Sequence, residues 1–362
     1  MKEDRNYGID LLRIIAMLYV VMGHSLGQGG LLFACDPHGV SGLICWFLYT
    51  LTDSCINIFA MISGYVGYKD GSTTLHPGRA VDIWLQTVYY GVLTAWVCSF
   101  LIDAYTVTAA DYVSAIMPVS HNTFWYTKAY IGMFIFCPFI NAGVKCINNN
   151  LLKASLVIMF ILYSVTAAFM DDIFWLHKGY TPLWLLLMYA AGAILKKTKI
   201  VDDLKWGWIA LISIICILSP MIWAYQGISI SAVGGNKELN WDFLYDYISP
   251  FLVILAIMHI AAFQRIHVAG CIRRSIVFIT PSVYAVYLIN ASPQFYDMVL
   301  DGATVFLSER NPVIMISEFI LINVLFVAIA ILLDKIRIIL FKLCRLSKLC
   351  LLIDDAFATI CA

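Results

Sequence analysis

The chain has 362 residues, is 62% hydrophobic and only 13% charged, and carries no formal net charge; its mean hydropathy is +0.85. A soluble protein of this size cannot hide so much apolar surface, so the composition excludes a soluble globular domain and defines an integral membrane protein. The balanced charge gives no footing for nucleic acid.

In chain order, apolar stretches near 20 residues predict ten spans: 8–27, 43–68, 80–102, 124–144, 151–170, 182–196, 206–225, 246–264, 274–298 and 312–334. The first follows residues 1–7 without a small-residue cleavage site and reads as a retained span. An even number of spans with a cytoplasmic N-terminus gathers 19 of the 23 lysines and arginines inside, leaving Lys128, Lys178, Lys237 and Arg310 outside. That bias predicts an all-α membrane protein of about ten transmembrane helices with both termini cytoplasmic. Residues 1–345 form one polytopic domain, and 346–362 a short cytoplasmic tail without a readable signature. Eleven cysteines sit mostly inside apolar runs, with no CxxC pair and no metal-like spacing to histidine. They read as small buried hydrophobes, and neither a metal site nor a disulfide framework is expected.

The first span holds the most informative pair, Arg13 and His24. Eleven positions are close to three helical turns, so both fall on one face, about 16 Å apart. Ionisable groups inside a span are costly and usually face a protein interior or a water-filled cavity. Asp10, three residues before Arg13, also allows a purely structural ion pair. The second span carries Asp53 and Asn57 one turn apart, then Ser63-Gly64; buried polar groups need partners, and small residues allow close helix approach. Asp53 falls in the same half as His24 and suits either a carboxylate–histidine dyad or an interhelical hydrogen bond. Arg79 closes the loop before span three, where it suits a phosphate cradle or an ordinary positive-inside anchor. Trp125, Tyr126 and Tyr130 fall where span four meets the outside, as interfacial anchors or as stacking faces for a sugar ring. His38, His76, His177, His259 and His267 lie in loops or at span ends and receive no role.

Several motifs together resemble the acyltransferase family 3 membrane proteins. They are Asp10-Leu11-Leu12-Arg13 with His24 eleven residues on, the stretch 56–68 with Ser63-Gly64-Tyr65, and 121–141 with Trp125, Tyr126, Tyr130 and Pro138. Segments 188–197, 282–290 and 332–342 follow in the family's order, so the resemblance covers residues 6 to about 342. The wording of the second and fourth spans is most like the branch that O-acetylates bacterial surface polysaccharides. Asn290 stands where relatives often carry histidine, and Asn57 and Ala60 also depart from other branches.

The resemblance implies transfer of an acetyl group from acetyl-CoA, as cosubstrate, to a hydroxyl of an extracytoplasmic polysaccharide or its lipid-linked precursor at the cell membrane. His24 would be the general base. Arg13 and Arg79 would bind the donor, with Arg13 also placed to steady charge on the thioester oxygen. Trp125, Tyr126, Tyr130, Asp53 and Asn57 are the acceptor-side candidates. No nucleic acid and no metal are implied, and oligomeric state stays open. A reading of another class treats Arg13, His24 and Asp53 as the polar pathway of a transporter or polysaccharide exporter, although no two-fold hydropathy repeat is visible.

Overall fold

A computed structural model describes residues 5–69, 74–121, 123–170, 174–232 and 242–361. Lys2, Asp70, Gly71 and Lys237 lie outside the described residues. Among the described residues there is no β-strand. The principal helices are α1 (Tyr7–Gly27), α2 (Val40–Asp53), α3 (Cys55–Gly67), α4 (Pro77–Leu101), α5 (Ala109–Ile116) and α6 (Trp125–Cys146). They continue with α7 (Asn149–Phe160), α8 (Pro182–Thr198), α9 (Trp206–Ala232), α10 (Pro250–Phe263), α11 (Gly270–Ile279), α12 (Val283–Asn290), α13 (Pro312–Leu343) and α14 (Leu346–Cys361).

Among the described residues, seven helical stretches are long and apolar enough to cross a membrane on their own. The α2–α3 pair counts as one, broken only at Ser54, and so does the α11–α12 pair. Helix α7 runs on through a π-helical turn, Ile161–Thr166, to Phe169. Three of the ten expected spans fall short for identifiable reasons. The 80–102 span is α4, long enough but diluted by Gln86, Thr87, Tyr89, Tyr90 and Thr94. The 182–196 span is α8, whose 17 residues reach about 26 Å, and the 246–264 span shrinks to the 14 residues of α10. The expected 274–298 span ends at Asn290, where Pro293 starts a separate turn.

Helix α1 occupies the middle of the bundle and packs on α2, α3, α10, α12 and α13. Its start is set by Asn6, whose side chain accepts from the amides of Gly8 and Ile9, and by Gly8 itself. A Cβ there would lie 2.0 Å from the Phe263 carbonyl, so only glycine lets α1 meet α10 so closely. Helices α3 and α8 meet the same way. An added Cβ on Gly64 would fall 1.8 Å from the Tyr189 carbonyl oxygen, and one on Gly192 would fall 2.0 Å from that of Met61.

The loops expected on one side do converge at one end. Asn6 and Tyr65 both bond Gln264, Asn141 donates to the Gly67 carbonyl, and Arg265 donates to the Val201 and Leu204 carbonyls. Lys197 caps α6 through the carbonyls of Val144, Lys145 and Ile147. Residues 5–8, the loop around 74–79 and α14 belong to this basic end. Lys178, by contrast, pairs with Asp246 at 3.2 Å and Asp242 at 3.7 Å at the opposite end.

Candidate active site

A cavity of about 480 Å³ opens at the basic end and runs alongside α1. Its mouth is formed by Lys69, Thr74, Leu75, His76 and Arg79, and Arg13 stands on its wall. Ser63, Gln86, Asn141 and Tyr189 add polar edges further in. The inner end is apolar and aromatic: Val20, Ile56, Phe59, Tyr126, Tyr284 and Tyr287. A pocket that is cationic at the rim and apolar in the throat suits a ligand with an anionic head and a slender uncharged arm.

Arg13 is half-buried and holds Asp10 Oδ1 at 3.1 Å, while Arg5 takes the other carboxylate oxygen. The structural and the ligand-binding readings of Arg13 are therefore compatible: one edge of the guanidinium meets Asp10 while the side chain still lines the cavity. Arg79 Nη2 donates to the Tyr130 hydroxyl at 3.2 Å, which brings two candidates from distant parts of the chain together across the pocket.

His24 does not line this cavity. The pocket reaches Val20, one helical turn, or about 6 Å, short of it. The rings of Tyr126 and Tyr287, which line the cavity, lie 5.8 Å apart, with Phe59 against Tyr126 and Phe124 against Tyr287. His24 Nδ1 lies 2.6 Å from Asn290 Oδ1, and its ring meets Tyr296 edge-on at 5.1 Å. An amide oxygen only accepts, so Nδ1 carries the proton in the neutral ring and the lone pair sits on Nε2. Nε2 has no hydrogen-bond partner among the described residues.

Asp53 and Asn57 separate in role. The Asp53 carboxylate makes no hydrogen bond among the described residues and is not the partner of His24; that position belongs to Asn290. Asn57 is fully buried: its amide donates to the Tyr247 carbonyl at 2.8 Å and accepts from Trp184 Nε1 at 2.9 Å. Its polar atoms are thereby committed to holding α3 against α8 and the segment before α10.

The aromatic trio opens α6, at the end away from Lys145. Helix α5 lies against α4, with Ala115 seated where Gly91 leaves room and Thr123 bonded to the Ser114 carbonyl. Tyr126 and Tyr130 line the cavity, whereas Trp125 does not and packs on Tyr247 at 5.9 Å and Tyr180 at 4.5 Å. Three further residues escaped sequence reasoning: Asn290, Tyr287 and His76. The first was flagged only as a departure from relatives, and nothing in the spacing marks the other two. Among the described residues no three His, Cys, Asp or Glu side chains converge as metal ligands do.

Fold and site together define a multi-pass membrane protein with a cation-rimmed pocket sunk beside its first helix. Residues 6–335 match acyltransferase family 3, described as an acyltransferase domain. The chain belongs to this family and is a membrane acyltransferase. No curated protein and no solved structure matched it.

Proposed function

We propose that this protein is an O-acetyltransferase of the cell membrane. It moves an acetyl group from cytoplasmic acetyl-CoA to a hydroxyl of an extracytoplasmic polysaccharide or its lipid-linked precursor. The observation that carries the reading is the state of His24: Nδ1 is tied to Asn290 and Nε2 is left without a partner among the described residues, on the same helix as Arg13, which lines the pocket. A histidine held in one tautomer with a free lone pair is what a general base requires.

With the basic end in the cytoplasm, Arg13, Arg79, Lys69 and His76 receive the phosphates of the donor. The cavity of about 480 Å³ takes the slender pantetheine arm rather than the whole cofactor. Guanidinium groups suit this task because they stay charged and present several donors to phosphate oxygens. As the acceptor oxygen attacks the thioester carbonyl, His24 Nε2 takes the hydroxyl proton. The new C–O bond forms, the C–S bond breaks, and the imidazolium returns its proton to the departing CoA thiolate. The thioester reaches His24 by extending one helical turn beyond Val20, where the cavity ends along α1. Asp53 and Trp125, which do not line the donor cavity, hold the acceptor sugar by hydrogen bonding and stacking.

Purified protein in proteoliposomes, given radiolabelled acetyl-CoA and a candidate glycan, tests this. Wild type should consume the thioester and His24→Ala should not, while inserting normally. Full activity in His24→Ala removes the general base. If wild type neither binds nor consumes any acyl-CoA, the donor reading fails and transport of an intact glycan takes its place.

A further inference from the structure

The last helix, α14, lies against the first turn of α4 and the loop before it. After α13 the chain reverses at Arg345, which takes a left-handed conformation with φ of 57°. Leu346, Cys350, Ile353, Asp354 and Phe357 then form a half-buried stripe at helical spacing that packs on α4. Gly78 makes the contact possible, because a Cβ there would lie 2.1 Å from the Cys350 carbonyl oxygen. The Gly78 amide donates to Asp354 Oδ1 at 2.7 Å, and Asp354 Oδ2 lies 3.7 Å from His76 Nδ1. The Thr74 hydroxyl in turn lies 3.3 Å from His76 Nε2.

Every residue fixed in this way belongs to the mouth of the cavity or adjoins it: Thr74 and His76 line it, and Arg79 follows Gly78 directly. We infer that α14 is a positioning element for the donor, with Asp354 holding residues 74–79 in the shape that turns His76 and Arg79 into the pocket. The inference rests on the donor reading of that pocket. Asp354 touches no reacting atom. It acts by accepting from the open amide at the start of α4, an interaction that a carboxylate makes well because it also opposes the helix dipole. Without it, the loop samples other shapes and the donor must order it on binding, which weakens affinity without touching the chemical step.

The experiment compares wild type with Asp354→Ala, Asp354→Asn and Gly78→Ala in proteoliposomes, varying acetyl-CoA and acceptor separately. Asp354→Ala should raise the KM for acetyl-CoA about five-fold, leave kcat within about two-fold, and leave the acceptor KM unchanged. Gly78→Ala should behave like Asp354→Ala, because its methyl group pushes α14 off α4. Asp354→Asn should stay near wild type, since its amide oxygen still accepts from Gly78. Hydrogen exchange of purified protein supplies a readout free of turnover: amides across 74–80 should exchange faster in Asp354→Ala. Unchanged exchange there overturns the inference, and so does a loss of kcat at constant donor KM. If wild type consumes no acyl-CoA, the donor reading fails, and the exchange measurement alone decides whether α14 orders the loop.

Discussion

Gly64→Ala puts the packing of the site to a direct test. The new methyl carbon would sit 1.8 Å from the Tyr189 carbonyl oxygen, 2.7 Å from its carbon and 3.0 Å from the Ala193 nitrogen. All three are backbone atoms of α8, so no side chain can swing aside. Ordinary contact begins near 3.4 Å, and α3 and α8 must part by about 1.5 Å to accept the group. A rigid separation of that size takes the Trp184–Asn57 hydrogen bond from 2.9 Å past bonding range. It also loosens the opposing contact of Gly192 with Met61. Overpacking and one lost buried hydrogen bond together cost about 2–4 kcal/mol. The assay is thermal denaturation in detergent, with Gly143→Ala as the control: Gly143 is also helical, but nothing lies within 4 Å of a Cβ added there. Gly64→Ala should melt several degrees lower and lose most transfer activity, since Ser63 and Tyr189 line the cavity beside the clash. Gly143→Ala should match or slightly exceed wild type. Equal melting of the two variants would refute the claim that backbone contact sets the spacing of these helices.

Asn290→Leu should lower kcat about ten-fold, the effect of one hydrogen bond and of a ring free to rotate, with KM for the donor unchanged; an unaltered kcat would remove Asn290 from the catalytic arrangement. Arg13→Lys should raise the donor KM about ten-fold, because an ammonium cannot meet Asp10 and a phosphate together as the guanidinium fork does; equal kinetics would reduce Arg13 to an anchor. Asp334→Ala should fail to accumulate in the membrane. It leaves Arg337, buried and held by Asp334 at 2.6 and 3.0 Å, without a counter-charge, and Tyr90 without its acceptor, a loss of about 3–5 kcal/mol. Normal yield and melting of that variant would count the triad as dispensable.

Much of this architecture is legible in the sequence because hydrophobicity and charge act locally. Each apolar run became a helix near its expected place, and the loops rich in Lys and Arg gathered at one end. The small residues of Ser63-Gly64 pointed to close packing, and α3 meets α8 at Gly64. The site was legible one helix at a time. Spacing placed Arg13 and His24 on one face of α1 at the correct separation, but it carries no information about what stands opposite. The partner of His24 lies 266 positions away, and depth alone made Asp53 as good a candidate as Asn290. The seating of α5 on α4 depends on Ala115 meeting Gly91, a tertiary fit without local signature. The tail escaped for the same reason: its stripe of Leu346, Cys350, Ile353 and Phe357 has meaning only against α4.

The aromatic wall at the inner end of the pocket has a consequence for the membrane as a whole. A continuous watery shaft through the bundle would be an ion leak, and each elementary charge crossing 100 mV dissipates about 2.3 kcal/mol. With Tyr126, Tyr287 and Phe59 lining its inner end and no residue from the Lys178–Asp246 end in its wall, the cavity is a blind alley. The protein can hold its mouth open to one compartment while the bilayer around it keeps its voltage.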